Sequence, residues 1–183
     1  MTPTAAGPGP VELPVAGSEI ETLLGALDRN RRTFAWKVFG LPAEDMRRTL
    51  GPSTITLAGL AKHLALVEDH YFSLGLGEVM PPPWRDADFD ADPDWEWHSA
   101  SEDSPEELQV LWEVAVGRSR AATAAFLVDG SAATRVRRSG WTEPPNLRRM
   151  LVDMVEEYAR HTGHADLIRE SLDGLVGEGL PPE

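Results

Sequence analysis

Apolar residues recur at three- and four-residue steps in four separate stretches of this chain, while alternation with a period of two is weak throughout. The longer step is one face of an α-helix; a half-buried strand would need the shorter one. Ile20, Leu23, Leu24, Leu27, Phe34, Val38 and Phe39 make the first stripe, and Leu57, Leu60, Ala61, Leu64, Val67 and Tyr71 the second. The third stretch is LQVLWEVAVGRSRAATAAFL, and the fourth runs to about Asp173. The punctuation agrees. Ser18 with Glu21 three residues on reads as a capping box, Leu41-Pro42 closes the first helix, and Ser53 or Thr54 caps the second, which stops at Gly75 and Gly77. Ser104-Pro105-Glu106-Glu107 starts the third helix, Asn146 caps the fourth and Gly174 ends it. Four such helices predict an all-α four-helix bundle over residues 18–176, with long loops after the second and third helices. Those loops permit crossovers, so the order of helix directions stays open. Residues 1–17, rich in Pro, Gly and Ala, are expected to be flexible or extended on the surface, and 177–183 to form a tail.

Composition narrows the function classes. A length of 183 residues with 42% hydrophobic content suits one globular domain with a full core. Thirty acidic against 17 basic residues give a formal charge of -13, which argues against a nucleic-acid partner, since phosphate selects for Lys/Arg-rich surfaces. No stretch approaches the roughly 18 apolar residues of a membrane span, and the N-terminus lacks the basic and apolar regions of a signal peptide; a cytoplasmic protein is expected. The chain has no cysteine. Disulfides, thiolate ligands and thiolate nucleophiles of its own are excluded, so any thiol chemistry must use a thiol from a partner molecule.

Within VDMVEEYARHTGHADLIRESLDG, Glu157 and His161 stand four residues apart. On a helix they share one face, one turn apart, and a carboxylate and an imidazole so placed can hold one divalent metal ion. His63 lies on or beside the apolar stripe of the second helix, with Leu60, Val67 and His70. Two packed helices could bring it to the pair, and two histidines with one glutamate and an open position make a catalytic type of metal site. Each residue also has a plainer reading. His63 could be a histidine at the core edge bonded to a carbonyl. Glu157 could lie on a solvated face or pair with a protonated His161. Glu156, turned about 100° away, is expected to point outward.

The segment 78–103, EVMPPPWRDADFDADPDWEWHSASED, has no helical period and contains three tryptophans. So long a loop in a compact domain is commonly functional. It could cover the metal pocket, with His98 as an extra contact, or it could be an ordered surface loop whose tryptophans cover one end of the bundle.

GLAKHLALVEDHYF and VEEYARHTGHADLIRE resemble the DinB-like (DinB/YfiT) metal-binding helical bundles, and in particular an actinobacterial branch described as mini-circle protein. FAWKVFGLPAEDMRRTLGPSTITLAGLAKHLALVE extends the likeness, which covers most of residues 19–174. The resemblance implies a divalent metal held by one histidine of the second helix and a pair one turn apart on the last, here His63, Glu157 and His161. Glu at the first position of the pair is similar to relatives of the mycothiol-dependent maleylpyruvate isomerase; many other members carry His there. His164 falls where members often have Gln, which implies a pocket-lining role. The implied metal is Zn or Ni, and the implied cofactor a low-molecular-weight thiol such as mycothiol, so that the expected activity is a thiol-dependent transferase or isomerase on a small-molecule substrate. Two alternatives remain open: a hydrolase using metal-activated water, with His164, His70 or Glu156 handling protons, and a non-catalytic protein that interacts or forms a homodimer through a helix pair. Tyr158, Trp36, Arg160, Trp84, Trp95 and Trp97 could line the pocket, or serve only as packing and surface.

Overall fold

A computed structural model describes residues 14–77, 79–136 and 143–177. The expectations for residues 1–13, for 137–142 of the second connector (Gly140 and Trp141 included) and for 178–183 of the tail lie outside the described residues. The helices are α1 (Glu19–Val38), α2 (Ala43–Met46), α3 (Leu57–Glu68), α4 (Trp95–Ser99), α5 (Pro105–Asp129) and α6 (Leu147–Asp173), and a π-helical segment, Asp69–Leu74, continues α3. No strand occurs among the described residues; Arg135 and Asn146 form a single bridge.

Local chemistry sets the helix ends. Ser18 with Glu21 and Ser104 with Glu107 form reciprocal capping boxes on α1 and α5. Asn146 accepts from Arg149 N at the start of α6, and Gly174 closes that helix at φ 77°, in the left-handed region where a side chain is disfavoured. The expected cap of the second helix is corrected. Thr56 accepts from Gly59 N, whereas the Ser53 hydroxyl is taken by Ile55 N in a turn two residues on. The segment read as wholly irregular, 78–103, contains the short helix α4.

Pair contacts fix the directions. Glu19 and Arg148 pair at the starts of α1 and α6, and Lys37 reaches Asp166 at 2.9 Å near their ends, so these two helices run parallel. Lys62 meets Asp103 just before α5 at 2.5 Å, and Arg118 meets Asp69 at 2.6 Å, so α3 and α5 are also parallel. Asp28 on α1 binds Arg120 on α5 while Phe34 packs on Trp112; these two run antiparallel. The order is therefore up, down, down, up. Two successive parallel helices require the chain to travel back along the molecule between them, and the described residues between α3 with its π-helical end and α5 make that return.

The core gathers Leu27, Phe34, Leu60, Leu64, Trp112, Leu151, Met154 and Tyr158. It also contains charge. Glu68 is fully buried and accepts from Arg31 Nε at 2.7 Å and Nη2 at 2.6 Å, and from the Tyr158 hydroxyl at 2.6 Å. Burial, then the Glu68 carboxylate, pushes the Tyr158 pKa well above its usual value, so the phenol stays protonated. Tyr158 accepts in turn from Trp112 Nε1 at 2.9 Å.

Candidate metal centre

The antiparallel packing of α3 and α6 sets His63 opposite Glu157 and His161. One donor atom from each of the three lies within 4.8 Å of the other two, and these are the one such group among the described residues. His161 Nε2 is 3.3 Å from Glu157 Oε2, and His63 Nε2 is 4.0 Å from the same oxygen. Ligands about 2.0–2.2 Å from a tetrahedral ion stand about 3.3–3.6 Å apart. The first separation fits, and the second needs a shift of a few tenths of an ångström in a partly exposed carboxylate. The donor set, two imidazoles and a carboxylate, suits Zn, Ni, Mn or Fe.

The electrostatics favour neutral imidazole at His161. Burial first, then the charges of His63, His164 and Arg160, pull its pKa down to about 4. A protonated His161 paired with Glu157, the plainer reading of that spacing, is therefore disfavoured. His164 Nδ1 lies 3.4 Å from His161 Nδ1; the His161 ring can donate there and keep Nε2 as a free lone pair. His63 is held similarly. Its Nδ1 is 3.0 Å from Glu96 Oε1, within hydrogen-bond distance. Trp97 stacks on the other face of the imidazole, ring centres 4.6 Å apart at 24°.

The tryptophans of residues 79–103 divide between the scaffold and the candidate donors. Trp84 is buried with its Nε1 donating to Asp69 Oδ2 at 2.8 Å, and Trp95 lies beneath the Lys62 ammonium; both pack the scaffold. Trp97 reaches the donors. His98 does not join them: it is exposed and paired with Asp92 at 2.9 Å. A cavity of about 520 Å³ opens beside His161, lined by Arg47, Thr56, Asp94, Trp97 and Ser101 among others.

Other expected pocket residues lie elsewhere. Tyr158 is in the core, bonded to Glu68; it is one residue from Glu157, and a 100° rotation per residue turns it off the pocket wall. Trp36 lies at the end of α1 with the Lys37 ammonium 4.6 Å from its ring. His70 is exposed and borders a separate, apolar cavity of about 410 Å³ with Tyr71, Met80 and Phe89. Glu156 and Arg160 are exposed on α6. Glu96 was not singled out from the sequence. Its signal is weak: Asp92-Pro93-Asp94 is helix-start chemistry ahead of Trp95, but nothing local points Glu96 at His63, 33 residues earlier.

No helix of the described residues is long and apolar enough to cross a membrane. No curated protein matches the chain. The profile of the family described as mycothiol-S-transferase matches residues 22–174, spanning both ligand helices and the segment that carries Glu96, and the chain therefore belongs to that family, within the DinB/YfiT-like superfamily.

Proposed function

We propose that this protein is a mycothiol-dependent S-transferase in which His63, Glu157 and His161 hold a divalent metal, Zn or Ni, on a DinB-type up-down-down-up four-helix bundle occupying residues 18–176. The observation that carries the reading is the convergence of three donors beside a cavity, in a chain of this family. When bound, the metal supplies a Lewis acid that lowers the pKa of a thiol and makes thiolate abundant near neutral pH.

The chain's own residues do the rest. His63 and His161 present Nε2 lone pairs because their Nδ1 atoms are engaged by Glu96 and His164. Glu157 adds the negative charge that offsets part of the cation's. Arg47, Asp94, Thr56 and Ser101 offer donors and acceptors along the cavity for the polar, hydroxyl-rich part of such a thiol, and the Trp97 ring gives that wall an apolar face. The absence of cysteine assigns the sulfur nucleophile to the cofactor. A small electrophile is then the second substrate, and a cytoplasmic setting keeps the thiol reduced.

Elemental analysis of the purified protein, with His63→Ala and Glu157→Ala alongside, tests the site. About one divalent ion per chain, lost in both variants, is the expected result, followed by metal-dependent conjugation of mycothiol to a bimane electrophile. No ion after reconstitution with Zn or Ni would reject the metal reading and leave a helical interaction protein.

A further inference from the structure

We infer that Glu96 is a positioning residue for the metal centre: through its contact with Nδ1 it sets the tautomer of His63, and α4 is thereby part of the site. The inference rests on the metal reading above but makes a claim about His63 that stands without it.

Three observations converge on Glu96. The first is geometry. Glu96 Oε1 is 3.0 Å from His63 Nδ1, on the side of the ring away from Glu157, whose Oε2 faces Nε2 at 4.0 Å. A free neutral imidazole favours the proton on Nε2; a carboxylate acceptor at Nδ1 reverses that preference. The Nε2 lone pair is then aimed at the point where Glu157 and His161 also aim theirs. Carboxylate–histidine pairs of this kind orient the ring and raise its basicity as a ligand.

The second is burial. Glu96 is 5% exposed, and its Oε2 is buried without a hydrogen-bond partner among the described residues. A carboxylate so placed costs stability, and an apolar side chain there would be cheaper for folding alone. Buried polar groups with unmet capacity in native proteins call for a reason beyond packing, and the bond to His63 supplies one.

The third is the mount. α4 has five residues, too few to be stable alone. It is seated by Trp97, stacked on His63 and pressed against Gly59 of α3, where an added Cβ would come within 2.7 Å of Trp97 Cε3. Trp95, one residue before Glu96, is held under Lys62. The carboxylate therefore sits between two anchored tryptophans, and its reach to His63 is fixed by packing on both sides.

Long-range ¹H–¹⁵N correlation spectra of the metal-free full chain near pH 8 read the tautomer of His63 directly, assigned by its loss in His63→Gln. The expected result is Nδ1–H in the native protein and mainly Nε2–H in Glu96→Ala. Zn titration in competition with a chromophoric chelator gives the second readout. Glu96→Ala should lose about 10–100-fold in affinity, with Glu96→Gln, which keeps an accepting oxygen, recovering part of that loss. An Nε2–H tautomer in the native protein, or wild-type Zn affinity in Glu96→Ala, overturns the proposal. An Nδ1–H native protein that takes up no Zn or Ni upholds the tautomer assignment and overturns the metal reading instead. If Glu96→Ala loses helical content, Glu96→Gln decides through affinity: Zn binding equal to wild type overturns the proposal, and a partial loss with Nδ1–H retained supports it.

Discussion

The Tyr158 hydroxyl donates to Glu68 Oε1 at 2.6 Å, joining α6 one residue past Glu157 to α3 five residues past His63. This bond and the Arg31 fork on the same carboxylate lie in the interior, where a slip of either helix would strand charge. α3 and α6 are thus registered from beneath by a buried polar contact. Apolar packing tolerates small slides; a hydrogen-bonded carboxylate does not.

Breaking that contact should cost stability before it costs chemistry. Tyr158→Phe leaves Trp112 Nε1 without its acceptor and Glu68 with one donor fewer. A loss of about 1–3 kcal/mol is expected from each buried group left unpaired, read as a lowered urea midpoint. Glu68→Ala should be worse, up to about 3–5 kcal/mol, because the buried Arg31 charge keeps only the partly exposed Asp28, at 3.0 Å, as a partner. An unchanged midpoint in Tyr158→Phe would show that the hydroxyl is dispensable.

His161→Ala should abolish stoichiometric metal binding while circular dichroism keeps most of its helical signal. The side chain lies at the edge of the core, 8% exposed, and alanine is the best helix former. Metal content equal to wild type would count heavily against the ligand assignment.

Stability of the metal-stripped protein should depend on pH through His161. Its pKa is about 4 in the folded chain against 6.5 as the ordinary value. Below pH 6.5 the unfolded chain takes up a proton that the folded one refuses, so this contribution is complete above 6.5 and is lost as the pH falls towards 4. The slope is at most about 1.4 kcal/mol per pH unit. Urea midpoints at pH 7 and pH 5 should therefore differ less in His161→Gln than in the parent; an equal difference would locate the proton uptake elsewhere.

Gly59→Ala sets two effects against each other. Alanine gains about 1 kcal/mol in helix propensity over glycine, but its Cβ would meet the Trp97 ring at 2.7 Å. Displacement of the indole should win. A shift in tryptophan emission and weaker metal binding are expected, with the rest of the helical signal retained. Emission and affinity identical to wild type would mean that α4 yields without disturbing His63.

Much of this was legible because its causes are local. Capping boxes close within three residues, and Glu157 with His161 is an i,i+4 relation on one helix, so both can be read off the order of residues. His63 was reachable because its stripe fixed which face it occupies. The cap at Thr56 was misread because Ser53 and Thr56 are equally good acceptors, and only the turn at Ile55 consumes the first. Tyr158 could be read either as pocket wall or as packing because periodicity locates a stripe only to within about one residue's rotation. Glu96 and the helix directions depend on the path of a long connection, and no local pattern encodes where a loop returns.

That returning connection has a consequence for how such proteins diversify. His63, Glu157 and His161 stand on α3 and α6, which are tied together by buried charge, while Asp94, Trp97 and Ser101 of the cavity wall belong to the stretch that returns along the molecule. Exchanges at exposed Asp94 can therefore remodel the edge of the cavity, whereas Trp84, Glu96 and Trp97 are held by Asp69, His63 and Gly59. One short stretch thus carries both a fixed contact to His63 and a variable edge of the cavity, and selection can edit the second without moving the first.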